Sequence, residues 1–156
     1  MRTKNDMRGK PLHNLMVNRT NDSLKDLGDT CTEYKLSFNG TTNYVDLFIR
    51  CGSFALAIEV ETTIRHAVNN VKKAAAVGVP LWIVVPTRRL KSTLTKKLNV
   101  LGLQPGSEPI KVLLLGAVRQ AFMNYLSWRI DGMIENKKKQ DRQELPSPCR
   151  GINHAD

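Results

Sequence analysis

The chain has 156 residues, with 24 Lys and Arg against 14 Asp and Glu, a formal net charge of +10. Hydrophobic residues make up 41% and charged residues 24%, the balance of one folded domain rather than of a disordered chain. No apolar run approaches the roughly 18 residues that cross a bilayer, the start MRTKNDMRGKPLH has no signal-type apolar stretch, and Cys31, Cys51 and Cys149 form no CxxC pair, so a cytoplasmic protein with no membrane partner, disulfide framework or zinc ribbon is expected.

Residues 1–10 are polar and basic and read as a flexible arm. Over residues 11–27, Leu12, Leu15, Met16, Leu24 and Leu27 allow a first helix. Its NRTND middle is a poor helix former, and Gly28 is a stop signal. Three strand-like runs follow, at 33–38 (EYKLSF), 44–50 (YVDLFIR) and 54–61 (FALAIEVE). The turns between them, Asn39-Gly40 and Cys51-Gly52-Ser53, are short, which predicts an antiparallel meander.

The period then changes. Over residues 63–77, Ile64, Ala67, Val68, Val71, Ala74 and Ala75 share one helical face, and Gly78 and Pro80 end the pattern. The run LWIVV at 81–85 is apolar throughout, as in a strand covered on both faces. Helical spacing returns at Leu90, Leu94, Leu98 and Leu101, KVLLL at 111–115 reads as a last strand, and a final helix is expected over 117–134. The order is α-βββ-α-β-α-β-α, a mixed sheet with helices on its faces. We expect a single domain over 11–135 and a disordered tail over 136–156, where KKK and two prolines stand without periodicity. The final helix carries Phe122, Met123, Tyr125, Trp128 and Met133 on more than one side, which suits a homodimer interface.

Charge is unevenly placed. Residues 62–107 contain no acid, but they hold Arg65, Lys72, Lys73, Arg88, Arg89, Lys91, Lys96 and Lys97. An all-basic stretch through a folded domain points to a polyanion such as nucleic acid; an ordinary solvated surface is the plain alternative. The helix after Pro86, with Arg88, Arg89 and Lys91 off its Leu stripe, serves either role. Between positions 34 and 107 the acids are Asp46, Glu59 and Glu61, all inside predicted strands, where acids are disfavoured. Alternation puts Glu59 and Glu61 on one face with Ala55 and Ala57. Neighbouring carboxylates repel unless a cation separates them, and a hard divalent ion such as Mg²⁺ would serve. Pairing with Arg or Lys on a solvated face is the other reading. In the next helix His66, Asn70 and Lys73 form a polar stripe, with Lys72 turned toward Arg65. No glycine-rich phosphate loop and no G-x-S-x-G elbow occurs.

The run VDLFIRCGSFALAIEVETT, followed by a helix with NNVKKA, resembles the PD-(D/E)XK nuclease superfamily, and the order of elements over residues 12–85 is similar to that family's core. The resemblance implies a restriction endonuclease-like α/β fold and hydrolysis of DNA with Mg²⁺ or Mn²⁺. It implies metal ligation by Asp46 and Glu59, and an accessory acid at Glu33. Val45 stands where the family has Pro, and Glu61 stands where it has its catalytic Lys. Some members carry E-x-E on this strand and supply the Lys from the following helix, which implies Lys73, with Lys72 as the alternative. Glu61 would then hold a second ion or a water, while Asn70, Lys72, Arg88, Arg89 and Lys91 would contact DNA. A non-catalytic nucleic-acid-binding or assembly module on the same fold is the alternative function. His13 reads as a solvent or packing residue before a phosphate or water contact.

Overall fold

The structure is a computed structural model that describes residues 10–38, 40–103 and 110–143, with the backbone alone described at 38, 41, 73–77 and 141–143. The elements are α1 (Lys10–Leu24), β1 (Asp29–Phe38), β2 (Thr41–Cys51), β3 (Phe54–Val60), α2 (Ala67–Val77), β4 (Leu81–Val85), α3 (Arg88–Val100), β5 (Ile110–Leu114) and α4 (Val118–Gln143), with one 3-10 turn at Leu115–Ala117. The α/β class and the element order are those read from the sequence. The strands form one sheet in the order β1-β2-β3-β4-β5. β1, β2 and β3 pair antiparallel, and β4 and β5 join parallel to β3. β3 is therefore central, with the α2 crossover leading to β4.

On one side of the sheet, Ala67 and Val71 of α2 and Leu94 and Leu98 of α3 cluster with Phe48, Ala57, Leu81, Ile83 and Val85. The alternate residues Leu47, Ile49, Leu56 and Ile58 are equally buried and face the other way by strand periodicity. α1 lies against β1, β2 and β3 and buries Met16, Val17, Thr20 and Leu24. That burial explains why the helix runs through NRTND: packing of one face outweighs weak intrinsic propensity. Arg119 clasps the end of α1, donating to Asp26 at 2.6 and 2.8 Å and to the Ser23 carbonyl at 2.8 Å. Gly28 is needed for close approach, because a Cβ there would stand 2.5 Å from the Arg50 carbonyl oxygen.

Several boundaries differ from the sequence reading. α2 begins at Ala67 rather than at 63; the β-branched Thr62, Thr63 and Ile64 are poor residues for a first helical turn. Glu61 lies just past the end of β3, its N–H bonded to the Val84 carbonyl at 2.9 Å. α4 continues through 136–143, where a disordered tail is expected. Lys, Gln, Arg and Glu are good helix formers, and Glu135 and Lys139 are spaced as an i,i+4 pair. Residues 144–156 and 1–9 lie outside the described residues, as does Asn39 of the first turn. The chain divides into two compact units, Met1–Arg119 and Gln120–Asp156. The second is described by α4 alone, in which Phe122 and Tyr125 rings stand 6.4 Å apart and Met123, Trp128, Ile130 and Met133 are exposed.

Candidate metal centre

Among the described residues of β2, Asp46 lacks a paired residue on both neighbouring strands. On the β3 side the ladder runs from Cys51↔Phe54 to Leu47↔Ile58 and stops there. The next pair in register would be Asp46 with Glu59, and side chains replace it. The Asp46 carboxylate accepts the Val60 N–H at 2.8 Å. The Glu59 carboxyl accepts the Asp46 N–H in a longer contact of 3.4 Å. On the β1 side the register is continuous from Asp29↔Arg50 to Phe38↔Thr41 except at Glu33, which lies opposite Asp46. Glu33 adopts φ 51°, in the left-handed region that non-glycine residues rarely occupy. Asp46 is thus unpaired on both sides, and on the β3 side the N–H groups of Asp46 and Val60 are met by acidic side chains.

Two helices complete the site. From α1, His13 Nε2 stands 3.0 Å from Asp46 Oδ2. From α2, Asn70 Nδ2 donates to Glu61 Oε1 at 2.8 Å. Glu59 and Glu61 are buried, at 7% and 6% exposure, which few unpaired carboxylates tolerate. Burial, then the charge of Asp46, pushes Glu59 up to about 9. Burial also pushes Glu61 up to about 7, against the pull of the Asn70 hydrogen bond. For Asp46, burial works upward, but the hydrogen bonds from His13 and the Val60 N–H hold it below the ordinary carboxylate value. The hydrogen bond to Asp46 in turn raises His13. In the metal-free site Asp46 is thus the carboxyl group held toward its charged form, beside a Glu59 that burial and the Asp46 charge hold toward its protonated form.

The structure brings together Asp46, Glu59 and Glu61. It adds His13, which the sequence reading leaves as a solvent or packing residue. It gives Asn70, expected to contact DNA, a bond to Glu61. The side chain of Lys73 lies outside the described residues. Lys72 is exposed, as are Arg88 and Arg89 on α3, while Lys91 is half-buried. Thr87 caps α3 by accepting the Leu90 N–H at 3.1 Å, which fixes where Arg88 and Arg89 leave the sheet edge.

Among the described residues no three or more His, Cys, Asp or Glu side chains already form a metal cage. Mg²⁺ does not require one: it binds through one or two carboxylates and keeps several waters. Asp46 and Glu59 supply hard oxygen donors of that kind, and the proton held by Glu59 marks the place where positive charge is wanted. No protein-family model and no curated protein matches the chain. No helix among the described residues is long and apolar enough to cross a membrane.

Proposed function

We propose that the protein is a metal-dependent nuclease that hydrolyses phosphodiester bonds in DNA. The observation that carries this reading is the opening of the sheet at Asp46 and Glu59, where two carboxyl groups from adjacent strands are held by each other's strand backbone. Among the described residues the basic partner of this pair is His13, on Asp46. The element order, with β4 parallel to a central β3, supports a restriction endonuclease-like core, and the acid-free basic segment 62–107 supports a polyanionic substrate.

Asp46 and Glu59 would hold Mg²⁺ or Mn²⁺, with Glu61 beside them. The bound ion would lower the pKa of a coordinated water and neutralise charge on the phosphoryl oxygens. The chain's own groups position the reaction. Val60 N–H and His13 fix the Asp46 carboxylate, and Asn70 fixes that of Glu61. Because Asn70 reaches Glu61, its face of α2 fronts the site. Position 73 follows it by three residues on that face, whereas position 72 is rotated away. This supports Lys73 as the cation that offsets transition-state charge, in place of the lysine that Glu61 displaces. Arg88 and Arg89, exposed at the start of α3, would bind backbone phosphates, with Lys72 and Lys91 beside them.

The test is incubation with supercoiled and branched DNA in Mg²⁺, Mn²⁺ or EDTA. Cleavage that needs the ion and disappears in Asp46→Ala supports the reading. Salt-dependent DNA binding without cleavage would establish the non-catalytic binding module instead.

A further inference from the structure

A cavity of about 240 Å³ opens beside the site, lined by His13, Asn14, Asn18, Thr32, Glu33 and Asp46, with Val17 as its apolar member. It shares His13 and Asp46 with that site, and its other lining residues, Asn14, Val17, Asn18, Thr32 and Glu33, have no part in the proposed catalysis. Asn14, Val17 and Asn18 are spaced i, i+3 and i+4 on α1, so one strip of that helix forms a wall. Glu33 and Thr32 come from β1 where its ladder is interrupted. The cavity is smaller than the roughly 300–1,000 Å³ clefts that take whole drug-sized molecules. It has room for one heterocycle and not for a base pair.

Its chemistry narrows the occupant. Two carboxylates, Glu33 and Asp46, make it unsuited to phosphate. An ionised carboxylate only accepts hydrogen bonds, so it calls for N–H donors. The amides of Asn14 and Asn18 offer both donors and acceptors, and Val17 offers a surface for a ring face. Guanine is the one standard base whose pairing edge carries two adjacent N–H donors, N1–H and the N2 amino group. Those donors match a carboxylate in the two-point manner that Arg uses, and a carbonyl acceptor, O6, remains for an asparagine amide.

The geometry points to a pocket that takes a single unpaired guanine next to the cleaved phosphodiester, with Glu33 reading its N1–H and N2 amino group. The assignment rests on the nuclease reading for its choice of a nucleotide. It deepens that reading by naming the substrate: DNA with an unpaired or extruded guanine beside the cut, because the pairing edge is otherwise occupied. His13 joins the two halves, lining the pocket while bonding Asp46.

The experiment is an NMR titration of the full chain, in EDTA, with the 2′-deoxynucleoside 5′-monophosphates dGMP, dAMP, dCMP and TMP, with deoxyinosine monophosphate, and with inorganic phosphate. The expected result is that dGMP shifts the Asn14 and Asn18 side-chain amides and binds roughly tenfold tighter than dAMP. Deoxyinosine monophosphate, which lacks the N2 amino group, should fall between. Glu33→Gln should remove the dGMP advantage and move preference toward dAMP, since an amide pairs with adenine's donor and acceptor. Asn18→Ala, which leaves β1 untouched, should weaken all bases. Equal shifts from inorganic phosphate, or no response of Asn14 and Asn18 to any nucleotide, overturn the pocket. Because no phosphodiester is present, that outcome is independent of cleavage. A protein that cuts DNA but ignores dGMP keeps the nuclease reading and loses this one. A protein that selects dGMP but never cuts does the reverse.

Discussion

β4 and the β2–β3 opening lie one strand apart and are built on opposite rules. β4 is LWIVV, buried along its whole length, paired without a gap to β3 on one side and β5 on the other. Each backbone group is met by a neighbouring strand, and each side chain meets apolar atoms. At Asp46 the β1 ladder is interrupted and the β3 ladder has ended, and the side chains that meet the backbone there are acids. The first region stabilises the fold. The second buries acidic groups, at a cost to stability. The packed strand and the proposed site are thus separated by about one strand spacing.

That separation can be broken from either side. The largest effect expected is on activity: Asp46→Ala should lower Mg²⁺-dependent DNA cleavage by about a thousandfold or more, while circular dichroism shows the folded protein retained. Lys73→Ala should also abolish cleavage with DNA binding little changed, whereas Lys72→Ala keeps most activity. Cutting by Lys73→Ala at the wild-type rate would remove the helix lysine from the account. On the β4 side, Ile83→Ala deletes a fully buried side chain and should cost about 2–5 kcal/mol in denaturant unfolding. Gly28→Ala should cost about 1–3 kcal/mol, since the new methyl must displace the Arg50 carbonyl.

The acid site should show its strain as pH dependence in EDTA. Unfolded Glu59 gives up its proton near 4.5, and folded Glu59 near about 9. Between these values the folded state binds more protons, so raising the pH favours unfolding. Stability of the metal-free protein should therefore fall as pH rises from about 5 toward 9. Glu59→Gln should flatten that slope while losing cleavage. Mg²⁺ should oppose it by binding only the folded state. A metal-free protein equally stable at both ends would show that the buried acids carry no such cost.

The sequence makes the sheet legible because strand and helix periods change cleanly, as from FALAIEVE to the Ala67–Val71 face. It also exposes Asp46, Glu59 and Glu61, because acids inside apolar strands are conspicuous. It hides His13: the pairing spans 33 positions, and nothing near His13 in the chain signals an acid across the fold. Asn70 is ambiguous for a different reason. A polar stripe on a helix reads the same whether it meets solvent, DNA or a buried carboxylate, and only the packing angle of α2 decides. The positive φ of Glu33 has no marker in EYKLSF, which reads as plain alternation. The helix over 136–143 was obscured because a polar, lysine-rich run matches a disordered tail in composition and a good helix in propensity.

The central claim is that Asp46 and Glu59 form a site for a divalent cation, and calorimetric titration with Mn²⁺ near pH 7 tests it most directly. Seating the ion must expel the proton that Glu59 holds, so the measured heat should depend on the ionisation enthalpy of the buffer. The account predicts saturable Mn²⁺ binding with proton release, lost in Asp46→Ala. Absence of binding, or binding that is unchanged in Asp46→Ala, would contradict it.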